Sequence, residues 1–312
     1  MDTIDWLHDA DPAISWQAMR DLTDASPAAI AAERARVPHQ GLGAAILAHQ
    51  GADGCWHRAD APVWLPTLFT FLLLRTTGVD RADPSVESAV ARLEAGFLWD
   101  EEFRDKPFKT FFDGEVEPCI NGGTLALGAY FGRPTESLAR RLVGEQLDDG
   151  GWNCEAPKSA RSSYHTTICV LEGLLEYERA VGSAPEIAAA RRRGEEYLLK
   201  RSLFRRCSTG EAANPEFLKF AFPPRYHYDV LRALDYLRDA GVQPDARVGD
   251  ALHILESRRQ ADGRWLLDNA HDEALAFPFA ESVGEPSRWN TLRALRVLRW
   301  YERRALEPTS TP

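Results

Sequence analysis

The sequence has little of three features that would narrow its function at once: basic charge, long apolar runs and a regular cysteine framework. Only five of its 37 basic side chains are lysines, and 47 acidic residues give a net charge of −10. Nucleic acids and anionic membranes bind basic patches, so we expect neither as a partner. The longest apolar run, at 65–74, is too short to span a bilayer. The sequence therefore predicts a protein that is not integral to a membrane.

The cysteines and the first residues indicate a compartment. Five cysteines are an odd number without dense spacing, which is typical of reduced thiols. The segment 1–12 is acidic and has no apolar core of the kind that a secretory leader needs. We expect a cytoplasmic protein.

A motif containing Gln, Asp, Gly and Trp is present three times. It reads Gln-x-x-Asp-Gly-x-Trp at 50–56 and 146–152, and it is one residue shorter at 260–265. Each copy follows an amphipathic helical run. Glycine permits positive φ, aspartate hydrogen-bonds nearby amides, and tryptophan is a large apolar anchor. The motif predicts a helix end, a tight turn and an indole that packs back.

Apolar helices begin at a regular interval after these turns. Their starts lie near 64, 119, 165, 227 and 289, with an opening one at 14–17, and each is paired with a more polar helix. Six such pairs predict an all-α fold, an (α/α)6 toroid with inner and outer helices; an open solenoid is the alternative. We expect a single domain over 1–306 and a disordered tail at 307–312.

The repeated turns resemble the QW repeats of squalene/hopene cyclases and of protein prenyltransferase β-subunits. The resemblance implies an enzyme that binds a small hydrophobic, isoprenoid-like substrate in the central cavity. The cyclases protonate an alkene with an Asp-x-Asp-Asp acid and use two helical domains. This sequence has neither the tetrad nor the second domain, which disfavours triterpene cyclisation.

The prenyltransferase resemblance implies a zinc site. Those enzymes hold zinc with Asp-x-Cys and with the histidine of a Tyr-His-Thr helix start. The matching residues here are Glu117, Cys119 and His165, with Cys154 or His227 as a fourth ligand. Glutamate replaces the family's aspartate. The preceding stretch, 111–116, is acidic where the family has diphosphate-binding basic residues, which argues against prenyl transfer. Prenyltransferases also need a second subunit, and whether this chain has a partner subunit is not decided.

The helix starts supply the other candidate site residues. The predicted catalytic residues are Cys119, His165, His227 and Asp229, since thiols, imidazoles and carboxylates carry nucleophilic and acid–base chemistry. Asp229 is alternatively a helix cap. Substrate contacts are predicted for aromatic and polar residues beside the same starts, with core packing, surface exposure or capping as the alternative: Trp64, Tyr164, Tyr226, Tyr228, Arg225, Arg288, Trp289 and Asn290.

Two other function classes stay open on sequence alone. One is a metal-free binding protein that holds an apolar ligand or a partner in the toroid. The other is a carbohydrate-active α/α barrel in which Asp229 and Glu117 act as paired carboxylates, which requires a separation of roughly 5–10 Å.

Overall fold

The computed structural model describes residues 2–99, 110–182 and 184–305. Within these ranges it contains thirteen α-helices and one short ribbon of strands β1 (Trp265–Leu266) and β2 (Pro286–Ser287). The helices are α1 (Thr3–His8), α2 (Pro12–Leu22), α3 (Pro27–Arg34), α4 (Gly41–Ala48), α5 (Trp64–Thr76), α6 (Pro84–Gly96), α7 (Pro118–Tyr130), α8 (Glu136–Gly144), α9 (Tyr164–Val181), α10 (Pro185–Leu199), α11 (Val230–Asp239), α12 (Gly249–Ser257) and α13 (Arg288–Ala305).

Six inner helices form a closed ring: α2, α5, α7, α9, α11 and α13. The pairs α5–α7, α7–α9, α11–α13 and α13–α2 pack directly. The Trp16 indole of α2 donates to the Thr77 carbonyl just after α5, and Arg232 of α11 pairs with Glu172 of α9. The chain therefore has the predicted toroid, and the open solenoid is wrong.

Inner and outer helices differ in how much of each is buried. Ten of the thirteen residues of the inner helix α7 are buried, whereas only three of the nine residues of the outer helix α8 are. An amphipathic outer helix needs one apolar stripe, while an inner helix has protein on every side except the cavity. This contrast produces the two layers.

The three repeated turns share one geometry. Each tryptophan donates its indole N–H to the carbonyl ten residues earlier, and its backbone N–H to a threonine hydroxyl on the next inner helix. The turn glycines have φ between 82° and 96°. Each turn thus fixes the end of an outer helix and the start of an inner one. The anchors are Trp56, Trp152 and Trp265, and the threonines are Thr67, Thr167 and Thr291.

Helices α7 and α9 approach closely because glycines face each other. A Cβ added to Gly122 would lie 2.4 Å from the Cys169 carbonyl oxygen, and one added to Gly173 would lie 2.4 Å from the Gly122 carbonyl oxygen. No other side chain fits such contacts without moving the backbone. The glycines therefore let α7 near its start pack directly on the middle of α9.

Some predicted boundaries differ from the structure. The inner helix predicted from 226 begins at Val230, because Asp229 is its N-cap and residues 226–229 precede it. The long segment 264–287 reaches α5, where the Ala276 N–H donates to Thr70 Oγ1 at 3.0 Å. The predicted end of the domain at 306 and the tail 307–312 lie outside the described residues. In the described ranges, no helix has both the length and the apolarity needed to cross a membrane.

Candidate functional site

Two groups of potential metal ligands lie at the end of the ring where the inner helices begin. We call this the entrance end, because the sequence predicts that the cavity is entered there. The thiol cluster consists of Glu117, Cys119 and Cys154, and the imidazole cluster consists of His227, His271 and Glu273. In each cluster the three ligand atoms lie within 4.8 Å of one another.

The thiol cluster is built on the first turn of α7. Glu117 occupies the N-cap position, yet its side chain makes no capping hydrogen bond. Its amide and that of Val116 are instead bound by the buried carboxylate of Glu115. The Glu117 carboxylate is therefore available, and its Oε2 lies 3.6 Å from Cys119 Sγ.

The two cysteines differ in acidity. A hydrogen bond between their side chains raises the pKa of Cys119 and lowers that of Cys154. Cys154 Sγ also lies 3.4 Å from the hydroxyl oxygen of Thr166. Cys154 is thus the thiol that ionises more readily, and thiolates are the form that binds metals.

His165 lies at the start of α9 but outside the thiol cluster. Its Nδ1 accepts a hydrogen bond from the Tyr228 backbone N–H at 2.9 Å. An accepting nitrogen carries no proton, so the neutral ring is protonated on Nε2 and presents a donor there. Burial lowers the pKa of His165 to about 4. The structure thus groups Cys154 with Glu117 and Cys119 and leaves His165 outside this group, while the zinc ligands predicted from the sequence stay a prediction.

The imidazole cluster combines a helix start with the segment 264–287. The rings of His227 and His271 stack at 3.7 Å between centroids, and Tyr226 covers His227 at 4.2 Å. Burial lowers the pKa of both histidines, that of His227 to about 3, so both rings are neutral at neutral pH. Glu273 pairs with Arg225.

Two predicted site residues are structural. Asp229 is 2% exposed and accepts hydrogen bonds from the amides of Arg232 and Ala221, so it is the cap that the sequence offered as the alternative. Asn290 is fully buried and donates its amide N–H groups to the carbonyls of Phe220 and Leu266. Because these groups are occupied by backbone, neither residue is placed to contact a substrate.

The predicted aromatic contacts divide between core and cavity. Tyr164 and Tyr228 lie in the core and donate their hydroxyls to the carbonyls of Arg205 and Leu203. Trp289 lines the central cavity and stacks on Phe222 at 4.5 Å. Core packing, the alternative offered for these aromatics, is thus the observed role of the two tyrosines.

The remaining predicted contacts lie at the rim. The Trp64 ring is 6.4 Å from that of Trp99, and Tyr226 stacks on His227. Arg288 covers the ring of Trp6, in the N-terminal segment, instead of facing the cavity. Arg225 does line the cavity.

The central cavity has a volume of about 670 Å³, within the range of small-molecule sites. Apolar side chains line part of it, including Phe69, Leu72 and Leu275. Nine arginines and five carboxylates also line it, and of these the sequence predicted only Arg225 as a substrate contact: Arg20, Arg34, Arg75, Arg179, Arg225, Arg232, Arg238, Arg293, Arg296, Asp80, Glu172, Glu176, Asp235 and Asp239.

No family model matches the chain, and no curated protein matches it. Among solved structures it is similar to a protein from Actinoplanes, with a TM-score of 0.47 and 15% identity over 93% of this chain and 89% of the other. It is also similar to the apo form of the type II terpene cyclase MstE from Scytonema, with a TM-score of 0.46 and 17% identity over 92% of this chain and 85% of the other. The chemistry of this chain must therefore be argued from its own residues.

Sequence reasoning missed three residues of the entrance end. His271 and Glu273 lie in a segment without helical periodicity, and the only signal was that this segment is longer than a turn requires. Glu115 was read only as part of an acidic stretch. In the structure it is buried, which raises its pKa to about 7.

Proposed function

We propose that the chain is a zinc-dependent enzyme that acts at the entrance end on a ligand held in the central cavity. The observation that carries this proposal is the thiol cluster, whose three ligand atoms lie within 4.8 Å of one another. Thiolates and a carboxylate are ligands that Zn²⁺ prefers. The residues present therefore fit the ion, with Cys119, Cys154 and Glu117 as its ligands.

A zinc ion with three protein ligands supplies an open position for water or a substrate thiol, and lowers the pKa of the group bound there. The chain's own residues prepare the site. The hydrogen bond with Cys119 lowers the pKa of Cys154, so Cys154 ionises readily. The hydroxyl of Thr166 lies 3.4 Å from the same sulfur and lowers its pKa as well. His165, neutral and fixed by the Tyr228 amide, presents its Nε2–H as a hydrogen-bond donor. We infer that it orients a substrate oxygen at the entrance.

The cavity supports a substrate with an apolar body and a polar end. Aromatic and aliphatic side chains such as Phe222, Trp289 and Leu275 line the part nearer the entrance end. Ion-paired arginines, among them Arg75 and Arg232, line the rest. A wholly apolar ligand would remove water from these charged groups and offer no hydrogen bond in return, which costs free energy. The proposed substrate is therefore amphipathic.

Metal analysis of the reduced, full-length chain tests the proposal. We expect the thiol cluster to hold one equivalent of zinc, and we expect Cys119→Ala and Cys154→Ala each to lose that equivalent, because removing a ligand leaves two. His165→Ala is expected to retain the metal, whereas the ligand set predicted from the sequence includes His165. Cys207→Ala, at an exposed cysteine, is the matched control.

Two results would count against the enzyme. Reduced protein that takes up no zinc, yet retains a small molecule in its cavity, would favour the metal-free binding protein. Equal loss of metal in Cys207→Ala and Cys119→Ala would mean that the uptake is not specific to the thiol cluster.

A further inference from the structure

The imidazole cluster is separate from the thiol cluster, and the proposed zinc chemistry does not use it. His227 precedes α11, whereas His271 and Glu273 lie in the segment 264–287. The segment places these two residues over His227, since the His227 and His271 rings are 3.7 Å apart. His271 also lines the central cavity.

The ring nitrogens of these two histidines have no protein partner. In the described part of the chain, no hydrogen bond reaches a ring nitrogen of His227 or His271, unlike His165, whose Nδ1 is occupied by Tyr228. Both side chains are partly buried. Half-buried polar atoms without partners are unfavourable, so the nitrogens are suited to an external group.

We propose that His227, His271 and Glu273 form a second site, for a divalent transition-metal ion, at the rim of the central cavity. Two neutral imidazoles and one carboxylate suit Zn²⁺, Co²⁺, Ni²⁺ or Fe²⁺ and leave coordination positions open. The set contains no thiolate, which distinguishes it chemically from the thiol cluster. This proposal does not depend on the proposed enzyme function.

Arg225 is the residue that opposes cation binding. It pairs with Glu273, and its guanidinium also lies 5.2 Å from the Tyr226 ring centroid. A metal ion must compete with this positive charge for the carboxylate. Removing the charge should therefore tighten metal binding, a change that damage to the fold would not produce.

Equilibrium dialysis with Zn²⁺ tests the second site in full-length protein that carries Cys119→Ala and Cys154→Ala. This background removes the thiol cluster, so failure of the zinc-enzyme proposal and failure of this one are distinguishable. We expect one equivalent of zinc. Adding His271→Ala should weaken binding by more than the roughly 10–100-fold that is typical of losing a supporting residue.

Two further variants separate coordination from folding. Glu273→Gln keeps the size of the side chain and should weaken binding, whereas Arg225→Gln should tighten it about fivefold or more, because one positive charge is removed. The proposal is overturned if the cysteine-free protein binds no zinc, if His271→Ala binds as tightly as its parent, or if Arg225→Gln binds more weakly.

Discussion

The two ends of the ring handle buried polar groups in opposite ways. At the far end, where the inner helices finish, arginines and carboxylates are joined in ion pairs, with Asp235 between Arg296 and Arg238. At the entrance end, His165 and His227 are neutral at neutral pH, and no hydrogen bond within the described residues reaches a ring nitrogen of His227 or His271. The carboxylate of Asp235 is paired within the protein, whereas the rings of His227 and His271 are available to a ligand.

The pKa values of Asp235 and His165 show the difference between the two ends. Burial alone would raise the pKa of Asp235, but the nearby charges of Arg296 and Arg238 outweigh it and lower the pKa well below 3.8. Burial lowers the pKa of His165, and the next contributions, from Arg232 and His271, lower it further. Neighbouring arginines therefore stabilise the ionised Asp235 at the far end, whereas burial keeps His165 neutral at the entrance end.

Asp235→Ala should produce the largest loss of stability. It leaves Arg296 and Arg238 buried without this carboxylate, and breaking a buried pair costs about 3–5 kcal/mol. Urea denaturation measures the change. The control Asp250→Ala breaks the exposed pair with Arg205 and should cost less than about 1 kcal/mol. Folded Asp235→Ala should take up as much metal as wild type. If Asp235→Ala were as stable as wild type, the far end would not depend on its buried ion pairs.

The pH dependence of stability should report the neutral state of His165 at the entrance end. The pKa of His165 is lowered from 6.5 to about 4, so between these values the unfolded chain binds a proton that the folded chain does not. In chelator-treated protein, the free energy of unfolding should therefore fall as the pH falls through this window, with an upper bound of about 3 kcal/mol from His165.

The variant His165→Gln keeps an acceptor for the Tyr228 amide and should reduce this slope. Urea midpoints at several pH values between 4 and 6.5 measure it. His253→Gln, at an exposed histidine, is the control. A slope that is the same in wild type and His165→Gln would show that the entrance end does not exclude the charge.

The smallest expected effect concerns the acidity of Cys154. Thr166→Val removes the hydroxyl 3.4 Å from its sulfur, so less thiolate should be present at neutral pH. Alkylation of Cys154 by iodoacetamide should slow by about two- to tenfold, the equivalent of one hydrogen bond. Peptide mass spectrometry measures it, with exposed Cys207 as the internal reference. A faster reaction would show that the hydroxyl shields the sulfur instead of favouring the thiolate.

The sequence predicts the ring well because the ring depends on local contacts. Each indole of the repeated turns binds a carbonyl only ten residues away, so the motif alone specifies the turn. Glu117 and Cys119 are similarly two residues apart on one helix start. Most of the charged residues of the cavity were not predicted, because the candidate contacts were taken from helix starts such as Trp64, whereas those charged residues lie further along the helices.

Most of the site depends on contacts between distant segments, which the sequence does not specify. The amide that occupies His165 belongs to Tyr228, 63 residues further on, and nothing in the Tyr-His-Thr motif indicates it. His271 comes to His227 through a segment that has no helical periodicity. Cys154 was predicted only as one of two possible fourth ligands, although it is the residue that lies with Glu117 and Cys119.

The absorption spectrum of the reduced chain loaded with Co²⁺ tests the central claim most directly, because thiolate–cobalt bonds give a charge-transfer band that imidazole and carboxylate ligands do not. The account predicts this band in wild type and in His165→Ala, and its loss in Cys154→Ala, because two remaining ligands do not hold the metal. The absence of the band in wild type, or an undiminished band in Cys154→Ala, would contradict a metal site formed by Glu117, Cys119 and Cys154.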